Sequence, residues 1–299
     1  MRKLIVLLLL ALLTAAACGG GEADGADSAA GSDSNGNSFE QPFTDAEAYP
    51  VFASSEITVG SNRFLVGLLN DRDAPIGSPE IDMTISFFDL AASDTEPTST
   101  RDMSFIWINK PYAGLYKGNV RFDRAGNWGA EVSVHGAGLD ETVRAGFEVQ
   151  EESSTPAVGS RPPASDTPTG ADVEDLSAIS TDRRPDPRFY ELSIQGALKS
   201  KEPFVVVFAT PKFCVSQTCG PTLTNTKRVA QEFPGVNFIH VEPYRLPADP
   251  AQLQPVKSVV QWGLPSEPWV FVVSSSGRIT AKYEGVLGER ELHEELQKL

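Results

Sequence analysis

Two cysteines, Cys214 and Cys219, lie close together in the segment 208–221, whose sequence is FATPKFCVSQTCGP. Thiols at this spacing can form a disulfide that holds a loop, act as a redox couple, or bind a soft metal such as Cu(I). An apolar run precedes the pair, and a Gly-Pro step suited to the first turn of a helix follows it. The pair therefore lies at a predicted strand-to-helix junction, and its chemistry is the main functional question.

The beginning of the chain predicts export from the cytoplasm. Arg2 and Lys3 precede an apolar run, the small residues 15–17 and then Cys18, which is the order of a secretory signal peptide. The apolar stretch 4–17 is shorter than the roughly 20 residues that a membrane-spanning helix needs.

Small residues directly before a cysteine resemble the lipobox of bacterial lipoproteins, with Ala15 where Leu is more usual. The resemblance implies that residues 1–17 are a lipoprotein signal peptide. It also implies that Cys18 carries the lipid, palmitate included, and anchors the protein at the extracytoplasmic face of the cell membrane. The alternative is a plain secretory signal in which Cys18 is incidental.

Composition divides the rest of the chain into two spacers and two folding units. Residues 18–48 are rich in Gly, Ala, Ser and acidic residues and contain no Lys or Arg, which predicts a disordered acidic spacer. Residues 151–187 are rich in Pro, Ser and Thr, which predicts an extended linker. Domains at 49–150 and 188–299 remain. The net charge of -15 argues against nucleic acid as a partner.

Residues 49–150 carry the period-2 alternation of β-strands. Apolar residues alternate with polar or small ones in the stretches 81–87, 116–122, 128–134 and 143–149, and strands of this spacing predict a sandwich. The stretch 114–128 resembles the penultimate hairpin of small immunoglobulin-like extracytoplasmic domains. We find no catalytic cluster here and interpret the domain as a partner-binding or presentation module.

Residues 188–299 alternate predicted strands and helices. Apolar strands are predicted at 204–208, 236–241 and 269–273, with helices after Cys219 and at 289–298. This order, Cys219-Gly-Pro and the Pro268 that opens a later strand resemble the thioredoxin-like family. The resemblance implies an α/β fold with Pro268 at the family's cis-proline position, facing the dithiol. The expected fold class is multidomain: an all-β immunoglobulin-like sandwich followed by an α/β thioredoxin-like domain.

The cysteine spacing departs from that family, because Thr222 stands where its Cys-Gly-Pro-Cys motif ends. Two assignments stay open. Either Cys219 attacks, favoured by its Gly-Pro neighbours and a helix N-terminus, or Cys214 attacks and Cys219 resolves. In an oxidising compartment we expect a Cys214–Cys219 disulfide.

The preferred function is thiol–disulfide exchange with protein thiols or disulfides, catalysed by Cys214 and Cys219 opposite Pro268. The first alternative is a non-catalytic partner-binding module in which the disulfide is structural. The second is copper handling, since Sco-type copper proteins also carry a widened cysteine pair followed by proline. Its ligands would be Cys214, Cys219 and His240. No cofactor is expected under the other two readings.

Overall fold

Seven strands of the N-terminal half form one continuous, curved antiparallel sheet in the computed structural model, which describes Phe39 and residues 46–299. The spatial order of the strands is β1-β2-β5-β4-β3-β6-β7. Their bounds are β1 (Ala48–Phe52), β2 (Gly60–Asn70), β3 (Asp82–Asp89), β4 (Ser99–Asn109), β5 (Ala113–Phe122), β6 (Gly126–Gly136) and β7 (Leu139–Val149).

The strand β4 joins the two halves of this sheet. Residues 99–103 pair with β3, whereas Ser104 and the residues after it pair with β5. At the two edges, the Glu47 N–H donates to Oε1 of Glu141 at 3.1 Å, and Thr58 bridges to Gln150. The sheet is therefore barrel-like and nearly closed. The expected immunoglobulin-like sandwich of two separate sheets is wrong, because one long strand continues from one half into the other.

The interior of the barrel is aromatic and explains the alternation in the sequence. The ring of Phe87 packs edge to face against Phe64 and Phe122 with centroids 5.2 and 5.6 Å apart, a favoured arrangement. Met83 and Met103 are buried in the same cluster. Their thioethers therefore fill the core.

A second sheet of four strands follows, with the order β11-β10-β8-β9. The strands β8 and β9 are parallel and the other neighbours antiparallel. Both faces of β8 and β10 are buried, which explains their unbroken apolar runs. The bounds are α1 (Ile194–Ser200), β8 (Phe204–Phe208), α2 (Cys219–Ala230), β9 (Asn237–Val241), α3 (Lys257–Gln261), β10 (Trp269–Val273), β11 (Ile279–Glu284) and α4 (Glu289–Leu296).

The expected α/β thioredoxin-like class is not supported, and the fold class is corrected to a mostly β protein with two sheets. The longest α-helix in the described part of the chain, α2, has 12 residues, and α3 has 5. Prolines at positions 243, 247, 250, 255, 265 and 268 restrict helix formation between β9 and β10. Residues 36–299 form one compact unit.

The segment 151–187 is packed rather than extended as a free linker. Its hydroxyl side chains are used in hydrogen bonds: Thr167 Oγ1 accepts from the Ile194 N–H at 3.1 Å, and Ser165 donates to Gln261 at 2.7 Å. Both Ser165 and Thr167 are buried. The Ser and Thr content from which an extended linker is predicted serves here to satisfy buried polar groups.

The C-terminal sheet docks on the outer face of β2. Arg63 lies at the centre of this contact, where its Nε and Nη2 donate to the two carboxylate oxygens of Glu291, each at 2.9 Å. Arg63 also donates to the backbone carbonyls of Glu284 and Val286. Lys117 forms a second ion pair with Glu291 at 2.8 Å. A charged and largely buried network therefore joins the two sheets.

The predicted signal peptide 1–17, Cys18 and nearly all of the acidic spacer lie outside the described residues. Within residues 46–299, no helix combines the length and apolar content that crossing a membrane requires.

Candidate functional site

The cysteine pair lies in the loop between β8 and α2, and the two residues form a disulfide with their Cα atoms 6.1 Å apart. The Cys214 N–H donates to the Thr210 carbonyl at 3.2 Å, which turns the chain directly after β8. Cys219 is the first residue of α2. The loop thus holds one sulfur on the helix and the other beside the beginning of that helix.

The two sulfurs differ in their surroundings. Cys219 is fully buried in the core cluster under the sheet, whereas Cys214 is partly exposed beside the exposed Val215. The Cys219 N–H donates to Sγ of Cys214 at 3.3 Å. It is one of the N–H groups that a helix N-terminus leaves without an intrahelical partner. If the disulfide opens, a thiolate on Cys214 receives this N–H and the positive end of the helix dipole.

Ser216 adds a second polar contact to the same sulfur. Its Oγ lies 3.3 Å from Sγ of Cys214 and 2.8 Å from Oγ1 of Thr218. Sequence reasoning missed Ser216 because a loop serine carries no motif. The only signal was its position between the two cysteines.

Pro268 lies at the same end of the sheet as the disulfide loop. Trp269, which follows it, pairs with Phe208, the last residue of β8. The Glu267–Pro268 peptide bond is cis. The Pro268 carbonyl accepts from the Gly285 N–H at 2.9 Å, and the Gly285 carbonyl accepts from Thr222 Oγ1 at 3.1 Å. Thr222 therefore connects α2 to the segments around Pro268.

His240 is a buried hydrogen-bonded residue rather than an available metal ligand. Its Nε2 lies 2.8 Å from the Ala209 carbonyl and its Nδ1 lies 2.7 Å from the Tyr190 hydroxyl. Burial lowers the pKa of His240 to about 4, so the ring is neutral at pH 7. Nε2 then donates and Nδ1 accepts. Within residues 46–299, no group of three or more His, Cys, Asp or Glu is arranged to hold a metal.

Two carboxylates near the loop were not predicted from the sequence. Glu242 Oε2 accepts from the N–H and the hydroxyl of Thr181, and Thr181 Oγ1 accepts from the Lys212 N–H at 3.3 Å. Burial raises the pKa of Glu242. Glu267, next to Pro268, accepts from the Tyr244 hydroxyl at 3.0 Å, and burial raises its pKa as well. The only sequence signal for Glu242 was a carboxylate directly after an apolar strand.

No protein-family model matches the chain, and no curated protein matches it. Among solved structures, it is similar to a DUF4426 family protein from Pseudomonas aeruginosa PAO1, with 13% sequence identity and a TM-score of 0.26. The match covers 38% of this chain and 97% of the other. Nothing about fold or function follows from a similarity this low.

Proposed function

We propose that the protein catalyses thiol–disulfide exchange through Cys214 and Cys219, with Cys214 as the sulfur that contacts the substrate. The observation that carries the proposal is the unequal environment of the two sulfurs. Cys214 is partly exposed and accepts the helix N–H, whereas Cys219 is fully buried. A purely structural staple has no need of a helix N–H aimed at its exposed sulfur.

In the oxidised state, exchange begins with a substrate thiolate that attacks Sγ of Cys214. The Cys214–Cys219 bond breaks, and Cys219 leaves as a thiolate that takes up the proton released by the substrate thiol. A second substrate thiolate then attacks the substrate sulfur of the mixed disulfide, and Cys214 leaves and takes up a second proton. The substrate loses two electrons and two protons, and the protein gains them.

The sulfur environment favours both leaving steps. Cys219 is the first residue of α2, so a negative charge there faces the positive end of the helix dipole. The thiolate of Cys214 is adjacent to the Cys219 N–H and the Ser216 hydroxyl. Lower thiol pKa values make better leaving groups.

The proposal includes the location and the partners. The predicted signal peptide and Cys18 support a lipid-anchored protein on the extracytoplasmic face of the cell membrane. Disulfides persist in that compartment. The partners are then exported proteins with free thiols or with disulfides to be exchanged.

The test is the reduction potential together with exchange activity on a reduced protein whose native state contains disulfides. We expect a potential between about −270 and −120 mV, the range of known exchange catalysts. We also expect activity that is lost in Cys214→Ser. A potential below about −300 mV, where structural disulfides lie, together with no exchange, would contradict the proposal. That result would favour the partner-binding module instead.

A further inference from the structure

A groove with a volume of about 1310 Å³ lies between the outer face of the seven-stranded sheet and the disulfide loop. One wall comes from β1, β2, β4 and β5. The opposite wall comes from Ser216 and Gln217, from one side of α2 and from the beginning of α4. Since Ser216 Oγ is 3.3 Å from Sγ of Cys214, the groove ends beside the exposed sulfur.

The sheet wall of the groove is apolar, with Gly67 at its centre. Val51 pairs with Gly67, and Leu115 pairs with Ile106 in the next two strands. A Cβ added to Gly67 would lie 3.4 Å from Cδ2 of Leu115 and 4.0 Å from Cβ of Val51, which places these residues side by side. Ile106 and Leu115 are half-exposed. The apolar neighbours therefore lie at contact distance around the buried Gly67, and a side chain longer than a methyl group there would extend into the groove.

This wall continues the surface on which the C-terminal sheet docks. Alternate residues of β2 point outward: Arg63 binds Glu291, and Leu65 is buried against Gly285. Gly67 and Leu69 come next on the same face and line the groove. One apolar face is therefore covered at one end by the C-terminal sheet and left open at the other.

The groove is also more basic than the protein as a whole. Lys110, Arg228 and Arg290 line it with one carboxylate, Glu289, whereas the whole chain has a net charge of -15. Arg228 donates to Glu289 at 2.7 Å, and Arg290 pairs with Glu294 at 3.7 Å, so Lys110 is the cation of the groove that the described residues leave without an ion pair. A segment that carries negative charge fits these basic side chains better than the rest of this acidic surface.

We propose that this groove binds an extended, acidic segment of a protein substrate and presents the adjacent cysteine to Cys214. The inference rests on the proposed exchange function for its purpose, but binding is measured without any exchange. The apolar wall contacts alternate side chains of the segment, and the basic residues contact its carboxylates.

The experiment uses the oxidised full chain and a fluorescein-labelled peptide. The peptide has ten residues of alternating leucine and glutamate, followed by a serine that stands where a substrate would carry its cysteine, so that no exchange can occur. We expect saturable binding by fluorescence anisotropy. We also expect Gly67→Leu, whose side chain would extend from between Val51 and Leu115 into the groove, to weaken binding by about tenfold. The matched control is Thr100→Leu, on the exposed outer face of the same sheet and outside the groove, which leaves binding unchanged.

Two further variants, which each reverse one charge, test the groove even if Gly67→Leu does not fold. Lys110→Glu should weaken binding of the acidic peptide, and Arg101→Glu, exposed at the other end of β4, should not. A peptide with lysine in place of glutamate should bind the parent protein weakly. Absence of binding to the parent, or equal binding by the groove variants and their controls, would overturn the proposal that the groove binds an acidic segment. Neither result affects exchange activity, so failure of the groove is distinguishable from failure of the proposed function.

Discussion

The polar contacts of the Cys214 sulfur distinguish this residue from Cys219. The Cys219 N–H and the Ser216 hydroxyl both lie 3.3 Å from Sγ of Cys214. Sequence alone left both assignments open, because Gly-Pro after Cys219 favoured one and the length of the segment from Cys219 to Phe233 favoured the other. Our proposal assigns substrate contact to Cys214 because Cys219 is fully buried, and a buried sulfur cannot contact a protein substrate.

Ser216→Ala tests the hydroxyl contact. A hydrogen bond to a thiolate stabilises the charged form, so its loss raises the pKa of Cys214 in the reduced protein. The expected increase is roughly half to one pKa unit. The pH dependence of thiolate absorbance at 240 nm, or of alkylation rate, measures it. Ser61→Ala, at an exposed serine on β2, is the control, and an equal pKa in both variants would contradict a role for Ser216.

At the scale of elements, the contact between β2 and α4 holds the groove in shape. Arg63 and Glu291 have side chains only 11% and 14% exposed. Arg63→Ala leaves Glu291 buried with Lys117 as its remaining cationic partner, and we expect a loss of about 3 kcal/mol in the free energy of unfolding. Urea denaturation measures it.

Arg290→Ala is the control for Arg63→Ala. Arg290 pairs with Glu294 on the surface, with side chains 82% and 62% exposed. Such pairs contribute less than about 1 kcal/mol. Similar losses for the two variants would contradict a structural role for the buried network.

The same network predicts a pH dependence. Burial alone would raise the pKa of Glu291, but the hydrogen bonds and charges of Arg63 and Lys117 lower it below its ordinary value. A lowered folded-state pKa contributes stability above the unfolded pKa, and that stability is lost as pH falls through the folded value. Glu291→Gln should therefore be less stable than the parent at pH 7, with a difference that shrinks below about pH 4. A constant difference between urea midpoints at pH 7 and pH 3 would contradict this.

The elements were predicted well where burial leaves a regular apolar pattern, either alternating for one buried face or unbroken for two. The alternation at 81–87 and the apolar runs of β8 and β10 correspond to observed strands. The pairing was not predictable, because nothing in the alternation of residues 99–109 indicates that β4 pairs with β3 first and with β5 afterwards. The expected sandwich and α/β class failed for that reason and because prolines leave α3 only 5 residues long.

At the scale of the whole molecule, the sequence predicted two domains joined by an extended linker rich in Pro, Ser and Thr. The structure instead has one compact unit from 36 to 299, and the segment 151–187 hydrogen-bonds to α1 and α3. The groove also depends on the whole molecule, because distant parts of the chain form its two walls. Gly67 and Ser216 are far apart in the chain, so no local pattern connects them.

A single compact unit should unfold in one cooperative transition. Trp128 lies in the core of the seven-stranded sheet and Trp262 in the core beside β8. Tryptophan fluorescence and far-UV circular dichroism of the parent protein should therefore give the same urea midpoint. Two separate midpoints would indicate that the two sheets unfold independently.

The central claim is that Cys214 is the sulfur that exchanges with substrates. Its most direct test is mixed-disulfide trapping with the two single variants. Cys219→Ser retains the exposed thiol and lacks the resolving one. Its Cys214 thiolate should attack disulfides of partner proteins, release one partner sulfur as a thiolate, and remain trapped as a mixed disulfide. Cys214→Ser retains only the buried thiol and should accumulate few. Trapping through Cys219 in Cys214→Ser, or trapping in neither variant, would contradict the account.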